Sequence, residues 1–416
     1  MSVAVSYPTR ADLVLRHATV VDVATSRLIP DQTVVVRDGV ISEIADDAAF
    51  TGAGAAAISG LPTRDLDGAF AMPGLINMHT HFSLSLPGQA GEAVEAMGPG
   101  ELALYMADGA ARTLRNGVTT VRCVAEKGGL DFALRRAIDA GHVLGPSIRT
   151  AGRALACTGG HGHGSDDTIE CDGPVGFTRG VRSQVAAGAD LIKLMISGGI
   201  AGEHEGIATP QLTREEMAAA IRTAHDWGRK VTAHAGPASI IELAVELGLD
   251  CVEHGYQLTA DVARAMAAHG TALVPTLVVT HADAFFEELG VPAWMRERSA
   301  QAAIRHRESF RHALDAGVEI MLGSDMPPFW PFEGTTAVVR ELEHMHDAGL
   351  DAWGVLRAAT MNPATWLGLG ERVGRVEVGF DADLVITRED PSAAPAALRS
   401  IEHVVRRGVL VREAAA

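Results

Sequence analysis

Between residue 73 and about residue 370, eight short apolar runs alternate with longer helical patterns, and this alternation constrains the fold most. The runs are Leu75–Met78, Thr119–Val124, Ser147–Ala151, Leu191–Ile196, Lys230–Ala233, Cys251–Glu253, Ala272–Thr276 and Glu319–Gly323. Strands joined by helices pair in parallel, because each connection must cross back over the sheet. Eight over this length are what a closed α/β barrel requires, so residues 73–373 are expected to form a (β/α)8 TIM barrel. The chain ends read differently. Residues 12–72 hold β-type runs at Leu13–Val23 and Thr33–Ile44, with Arg37-Asp38-Gly39 as a hairpin turn. The β texture returns after Gly374, in Arg375–Val378, Ala382–Thr387 and Ile401–Val411. Residues 1–72 and 374–416 are therefore expected to build one small composite β-sandwich domain.

Composition narrows the partners. A net charge of −17 over 416 residues argues against nucleic acid, whose phosphates need clustered Lys and Arg. It does not decide the substrate, since the local field of a metal site overrides the global sign. Four scattered cysteines imply no disulfide framework. The first residues lack a basic stretch leading into an apolar one, and no run is long enough to span a bilayer. A cytoplasmic homo-oligomer acting on a small molecule, away from membranes, is the expectation.

Six residues carry the chemistry: His79, His81, Lys193, His234, His254 and Asp325. The first pair closes the run Met72 to His81. On a strand, side chains two apart share a face and lie ~6.6 Å apart at ~3.3 Å per residue. Two imidazoles so placed can converge on one divalent ion. Lys193 lies within the fourth run; the other ligand candidates end the first, fifth and sixth runs or follow the eighth. The C-terminal ends of barrel strands share one mouth, so all six meet there.

Lys193 stands in an apolar Leu-Ile-Lys-Leu-Met-Ile run, in a chain with only two other lysines, Lys127 and Lys230. Beside two dications an ammonium is repelled, and burial also favours the neutral amine. A neutral amine reacts with carbon dioxide to form an anionic carbamate, which can bridge two metals. With Asp325 and hydroxide it returns −3 against +4, a balance that four neutral imidazoles tolerate. The alternative is an unmodified lysine paired with an acid.

This ordered set, with Gly-Gly-His-Gly-His at 159–163 and Gly-Phe-Asp-Ala-Asp-Leu-Val at 379–385, resembles the amidohydrolase superfamily. Within it the chain resembles the imidazolonepropionase-related branch, with its Xaa-Pro and Xaa-Arg/Lys dipeptidases and ochratoxin-type amidases. The resemblance implies two divalent ions, most simply Zn2+. It gives His79, His81 and Asp325 to the buried ion, His234 and His254 to the exposed one, and carboxylated Lys193 to both. It also implies hydrolysis of an amide in a dipeptide, N-acyl amino acid or ochratoxin-like substrate. A bridging hydroxide attacks and Asp325 relays the proton. Carbamate, urea or lactam hydrolysis is the rival reading, and a catalytically silent binding protein is the other class; that class would have lost ligands, and this chain has lost none.

Secondary candidates follow. His163 or His161, on the glycine-rich loop after the third strand, is expected to hydrogen-bond the carbonyl oxygen as charge develops. Phe82, Phe329, Trp330 and Phe332 lie on loops after the first and eighth strands and are expected to contact an apolar substrate group; the alternative is that they pack those loops onto the rim. Glu203, His204 and Glu205 read as solvated loop residues. His344 and His346 sit two apart in a helical pattern and read as surface residues.

Overall fold

The computed structural model describes residues 6–413, so residues 1–5 and 414–416 of the expected terminal domain lie outside the described residues. Its N-terminal strands are β1 (Leu13–Asp22), β2 (Arg27–Arg37), β3 (Val40–Asp46), β4 (Thr63–Asp65) and β5 (Phe70–Pro73). The β2–β3 hairpin turns at Asp38 and Gly39, with φ of 45° and 78°. Such a two-residue turn needs both residues left-handed, which Asp-Gly supplies at little steric cost.

The parallel strands come next: β6 (Leu75–Thr80), β7 (Val118–Cys123), β8 (Ser147–Thr150), β9 (Ala154–Ala156), β10 (Thr168–Glu170), β11 (Leu191–Met195), β12 (Lys230–Pro237), β13 (Cys251–Gln257) and β14 (Ala272–Val274). They form two ladders, β6-β7-β8 and β10-β9-β11-β12-β13-β14. Asp190 N–H donates to Thr150 O at 2.8 Å, linking the two between β8 and β11. The short β9 and β10, which flank the glycine-rich loop, were not foreseen. Nor does Glu319–Gly323 form a ladder; it makes one bridge, Leu273 to Ile320. It nevertheless lies between β14 and β6: Leu273 N–H donates to Glu319 O (2.9 Å) and Met78 N–H to Leu322 O (2.7 Å). Leu322 spends its own N–H on Ala358 O of the following helices, which interrupts strand pairing.

After a short hairpin of β15 (Pro331–Phe332) and β16 (Thr335–Thr336), the chain ends in β17 (Leu384–Thr387), β18 (Ile401–Arg406) and β19 (Val409–Arg412). Strands from both ends join one eight-stranded sheet, ordered β19-β18-β17-β5-β1-β2-β3 with β4 beside β1. Arg375–Val378, expected as a strand, is irregular, and Val378 is exposed with no partner strand to cover it. One face of the sheet encloses Leu13, Leu15, Val34, Val36, Leu384 and Ile386. From its other face Val385 and Val404 join Leu114 and Val118 in the large core of the α/β region. The sheet is thus packed onto that region rather than tethered to it.

Asp47 closes the edge of this sheet. It is buried and accepts from Arg16 and Thr33. The Arg16 guanidinium, with help from Thr33, lowers its carboxyl from 3.8 to about 2 against the opposing effect of burial. A depressed carboxylate stabilises the fold above the unfolded pKa of ~3.9 and loses that contribution as pH falls through the folded value. Asp47→Asn should therefore cost about 2 kcal/mol at pH 7. The deficit should shrink between pH 4 and pH 2, as read from urea unfolding at each pH. A pH-independent deficit would refute the ionic origin.

Candidate metal centre and cavity

Strand alternation explains most of the cluster. Lys193 is central in β11 and opposite Thr232 of β12, and His234 lies two residues beyond Thr232 on the same face. Glu253 on β13 turns inward and is fully buried. Alternation would send the next residue, His254, to the opposite face. Instead His254 has φ 65°, and Thr276 and Asp325 each have φ 53°. Left-handed backbone costs a non-glycine residue ~1–2 kcal/mol, so local bonds must hold it. His254 Nδ1 lies 2.7 Å from Thr276 Oγ1, and Asp325 N–H donates to His79 O at 2.8 Å.

The second nitrogen of each imidazole is committed. His79 Nδ1 lies 2.7 Å from Glu253 Oε2, and His81 Nδ1 donates to Ala125 O at 2.8 Å. His234 Nε2 donates to Gly198 O at 3.1 Å. A carbonyl cannot donate, so these contacts set the tautomer and leave the other nitrogen as a lone pair. His79 Nε2 and His81 Nε2 then face the same atom, Asp325 Oδ1, at 2.9 and 3.1 Å. Lone pairs turned on a carboxylate oxygen repel unless a cation lies among them or the rings gain second protons. Ligand atoms of His79, His254 and Asp325 all fall within 4.8 Å of one another, so the donor set fits a divalent ion.

Burial sets the protonation of the rest. His234 and His254 are held well below the ordinary imidazole value, by burial first and by neighbouring cationic groups second. Glu253 stays ionised because Arg122 and His79 outweigh its burial. Arg122 donates to Glu253 and Met78 O deep in the strands. Lys193 Nζ is buried without a hydrogen-bond partner, and burial pulls its pKa from 10.5 to about 8.

All six expected ligands line one cavity of about 610 Å³: His79, His81, Lys193, His234, His254 and Asp325 are on its wall. His161 is there too, its ring stacked on His234 at 4.2 Å and its Nδ1 2.5 Å from Glu205 Oε1. His163 reaches the cavity edge but is exposed and bonded to Glu170. Phe82, Phe329, Trp330 and Phe332 do not line the cavity, contrary to expectation. Phe329 stacks on Phe82 and fills the hollow left by Gly109 of the Pro99–Arg115 helix. Trp330 Nε1 donates to Tyr105 Oη at 3.2 Å, and Phe332 packs on Phe285. These rings anchor their loops to the surrounding helices.

The chain belongs to the amidohydrolase family. The family model matches residues 70–411. An ochratoxinase of Aspergillus niger is 27% identical over 352 residues, spanning 77% of this chain and 70% of that protein. An uncharacterised protein of Mycobacterium tuberculosis is 30% identical over 355 residues, spanning 82% and 85%. A solved Xaa-Pro dipeptidase with methionine in its active site superposes with TM-score 0.85 at 27% identity, covering 96% of this chain and 99% of that one. This amidohydrolase therefore has a TIM-barrel-type fold of mixed α/β content and is a hydrolase acting on carbon–nitrogen bonds. Among the described residues no helix is long and apolar enough to cross a membrane.

Sequence reasoning missed the supporting carboxylates. Glu205, read as solvated, is buried between His161 and Gln211. Glu126 accepts from the N–H groups of Phe82 and Ser83 just beyond His81, and burial raises it to about 7. Glu253 immediately precedes the candidate ligand His254, and that adjacency was the available signal. His344 and His346, read as surface residues, are half-buried, with His346 Nδ1 on Leu350 O. Glu253→Gln removes the charge that sets His79 and pairs Arg122. Affinity for an added divalent ion should fall about 10- to 100-fold in chelator competition. Stability should drop about 3 kcal/mol, because a buried charge loses its partner. Wild-type values for both would contradict this role.

Proposed function

We propose that this amidohydrolase is a binuclear zinc enzyme that cleaves an amide bond in a small substrate with an uncharged, apolar flank. The observation that carries the reading is the convergence of tautomer-locked imidazoles on Asp325 beside a buried, unpartnered Lys193. His79, His81 and Asp325 would hold one ion, His234 and His254 the other, and Lys193, as its carbamate, both. Bound ions supply Lewis acidity, which brings the pKa of water toward neutrality and polarises a carbonyl.

The chain's own groups supply the rest. Asp325 Oδ2 faces His254 rather than the His79–His81 pair, and it is the acceptor for the proton of the attacking water. That proton then passes to the leaving nitrogen. His161, not His163, is the group for the carbonyl oxygen: it is half-buried on the cavity wall, and Glu205, accepting at Nδ1, balances the charge of the imidazolium form, in which Nε2–H donates.

The walls describe the substrate. Leu84, Met195, Ile200, Val279, Phe286 and Trp294 give apolar surface, while Glu92, Asp167 and Glu203 add negative charge. No arginine, and no lysine besides Lys193, lines the cavity among the described residues. A terminal carboxylate thus meets no fixed cation, so neutral N-acyl amides are favoured over free dipeptides. The same observation favours a second reading, neutral carbamates and ureas, whose carbonyls accept the same attack.

Turnover of the zinc-loaded enzyme on paired substrates tests this: amides, carbamates and ureas, each with a terminal carboxylate and as its neutral carboxamide. The neutral member should lead in kcat/KM by about tenfold, or ~1.4 kcal/mol. A preference for the carboxylate members would refute the charge reading, and no turnover on any pair would refute the activity.

A further inference from the structure

Resting on the assignment of His161 to the scissile carbonyl, we propose that Arg298 is a positioning residue that clamps the 199–205 loop over the cavity and so holds Glu205 and His161 in working geometry. Arg298 lies on the Ala293–Ala316 helix, outside the metal cluster. Among the described residues it has no acidic partner. Its guanidinium instead donates to four carbonyls of one loop: Gly202 O at 2.5 Å, Ile200 O at 3.1 Å, and Gly199 O and Glu203 O at 3.4 Å. An arginine more commonly pairs with a carboxylate; here a planar, five-donor fork gathers the outward carbonyls of a turn. Its plane is braced by Trp294, whose ring centre lies 4.9 Å from Cζ and which lines the cavity.

The other side of this loop presses on the reacting groups. A Cβ at Gly199 would lie 2.4 Å from His161 Cε1, and one at Gly202 would lie 2.3 Å from Glu205 Oε1. The loop backbone therefore touches the His161–Glu205 pair directly, with no side chain between. Gln211 completes the frame: its Oε1 accepts from His161 N–H at 2.9 Å and its Nε2 donates to Glu205 at 2.6 Å. The loop's base is anchored independently, by Gly198 N–H to Thr209 O at 2.9 Å. Between that base and Glu205 the glycine-rich segment is restrained from outside by Arg298. Without the clamp the loop keeps its base but loses the force holding it against His161.

The test is a double-mutant cycle with Arg298→Met and Glu205→Gln, using the best substrate of the paired panel. Arg298→Met should lower kcat about tenfold while bound zinc and KM change less than twofold. In the Glu205→Gln background, which already loosens His161, adding Arg298→Met should cost less than a further twofold. Arg298→Lys, with a compact ammonium that cannot span four carbonyls, should give an intermediate kcat; it also serves if the Met variant fails to fold. Equal losses in both backgrounds, wild-type kcat in both Arg298 variants, or a loss confined to KM would overturn the clamp. His161→Ala separates the two claims. If that variant turns over normally, the His161 assignment fails and takes the clamp with it. If it is slow while the Arg298 variants are normal, only the clamp fails.

Discussion

Glu253 occupies the centre of the charge balance inside this amidohydrolase, where it is fully buried and accepts from Arg122, Thr232 and His79. Arg122 is equally buried, so each cancels a charge that would otherwise be left without solvent. Breaking such a pair strands the survivor at about 3–5 kcal/mol. The pairing has a second consequence. Arg122 takes the Glu253 carboxylate, and Lys193 is left buried on the cavity wall with no hydrogen-bond partner. A lysine so placed is driven toward the neutral amine, the form that reacts with carbon dioxide. The carboxylate that sets the His79 tautomer is thus paired with Arg122, and Lys193 has no hydrogen-bond partner.

The backbone converts this interior into an open mouth. Two-residue alternation brings Lys193, Thr232, His234 and Glu253 to one face, but it cannot place consecutive residues together. The left-handed conformations at His254 and Asp325 do that, and they coincide with candidate ligands rather than with the turns between helices. The same logic operates at the loop level. Gly199 and Gly202 allow main chain to approach His161 and Glu205 where any side chain would intrude. The Phe82–Phe329 stack and Trp330 secure the rim against the helices, while Phe286 and Trp294 share the cavity walls with aliphatic residues and carboxylates.

What was legible in the sequence tracks how local each signal is. Seven of the eight apolar runs became strands because strand burial imposes a short continuous pattern; Glu319–Gly323 carries the same pattern but loses an amide to Ala358, a contact from a distant segment. The six ligand candidates were readable because each sits beside such a run. Glu205 and Arg298 were not, since their partners lie 44 and about 95–99 residues away and nothing local marks a buried glutamate or a carbonyl-binding arginine. The aromatic loop misled for a related reason. Clustering of Phe329, Trp330 and Phe332 is a local fact, but the Gly109 hollow that Phe329 fills lies on a helix more than two hundred residues earlier.

Carbon-13 NMR of protein reconstituted with zinc and labelled bicarbonate, with metal content read on the same sample, tests the proposed carbamate at Lys193. Two zinc ions per chain and one carbamate carbonyl resonance are expected. In Lys193→Ala the resonance should vanish and the zinc content should fall. A fully active sample with no carbamate signal, or two zinc ions retained in Lys193→Ala at unchanged affinity, would contradict it.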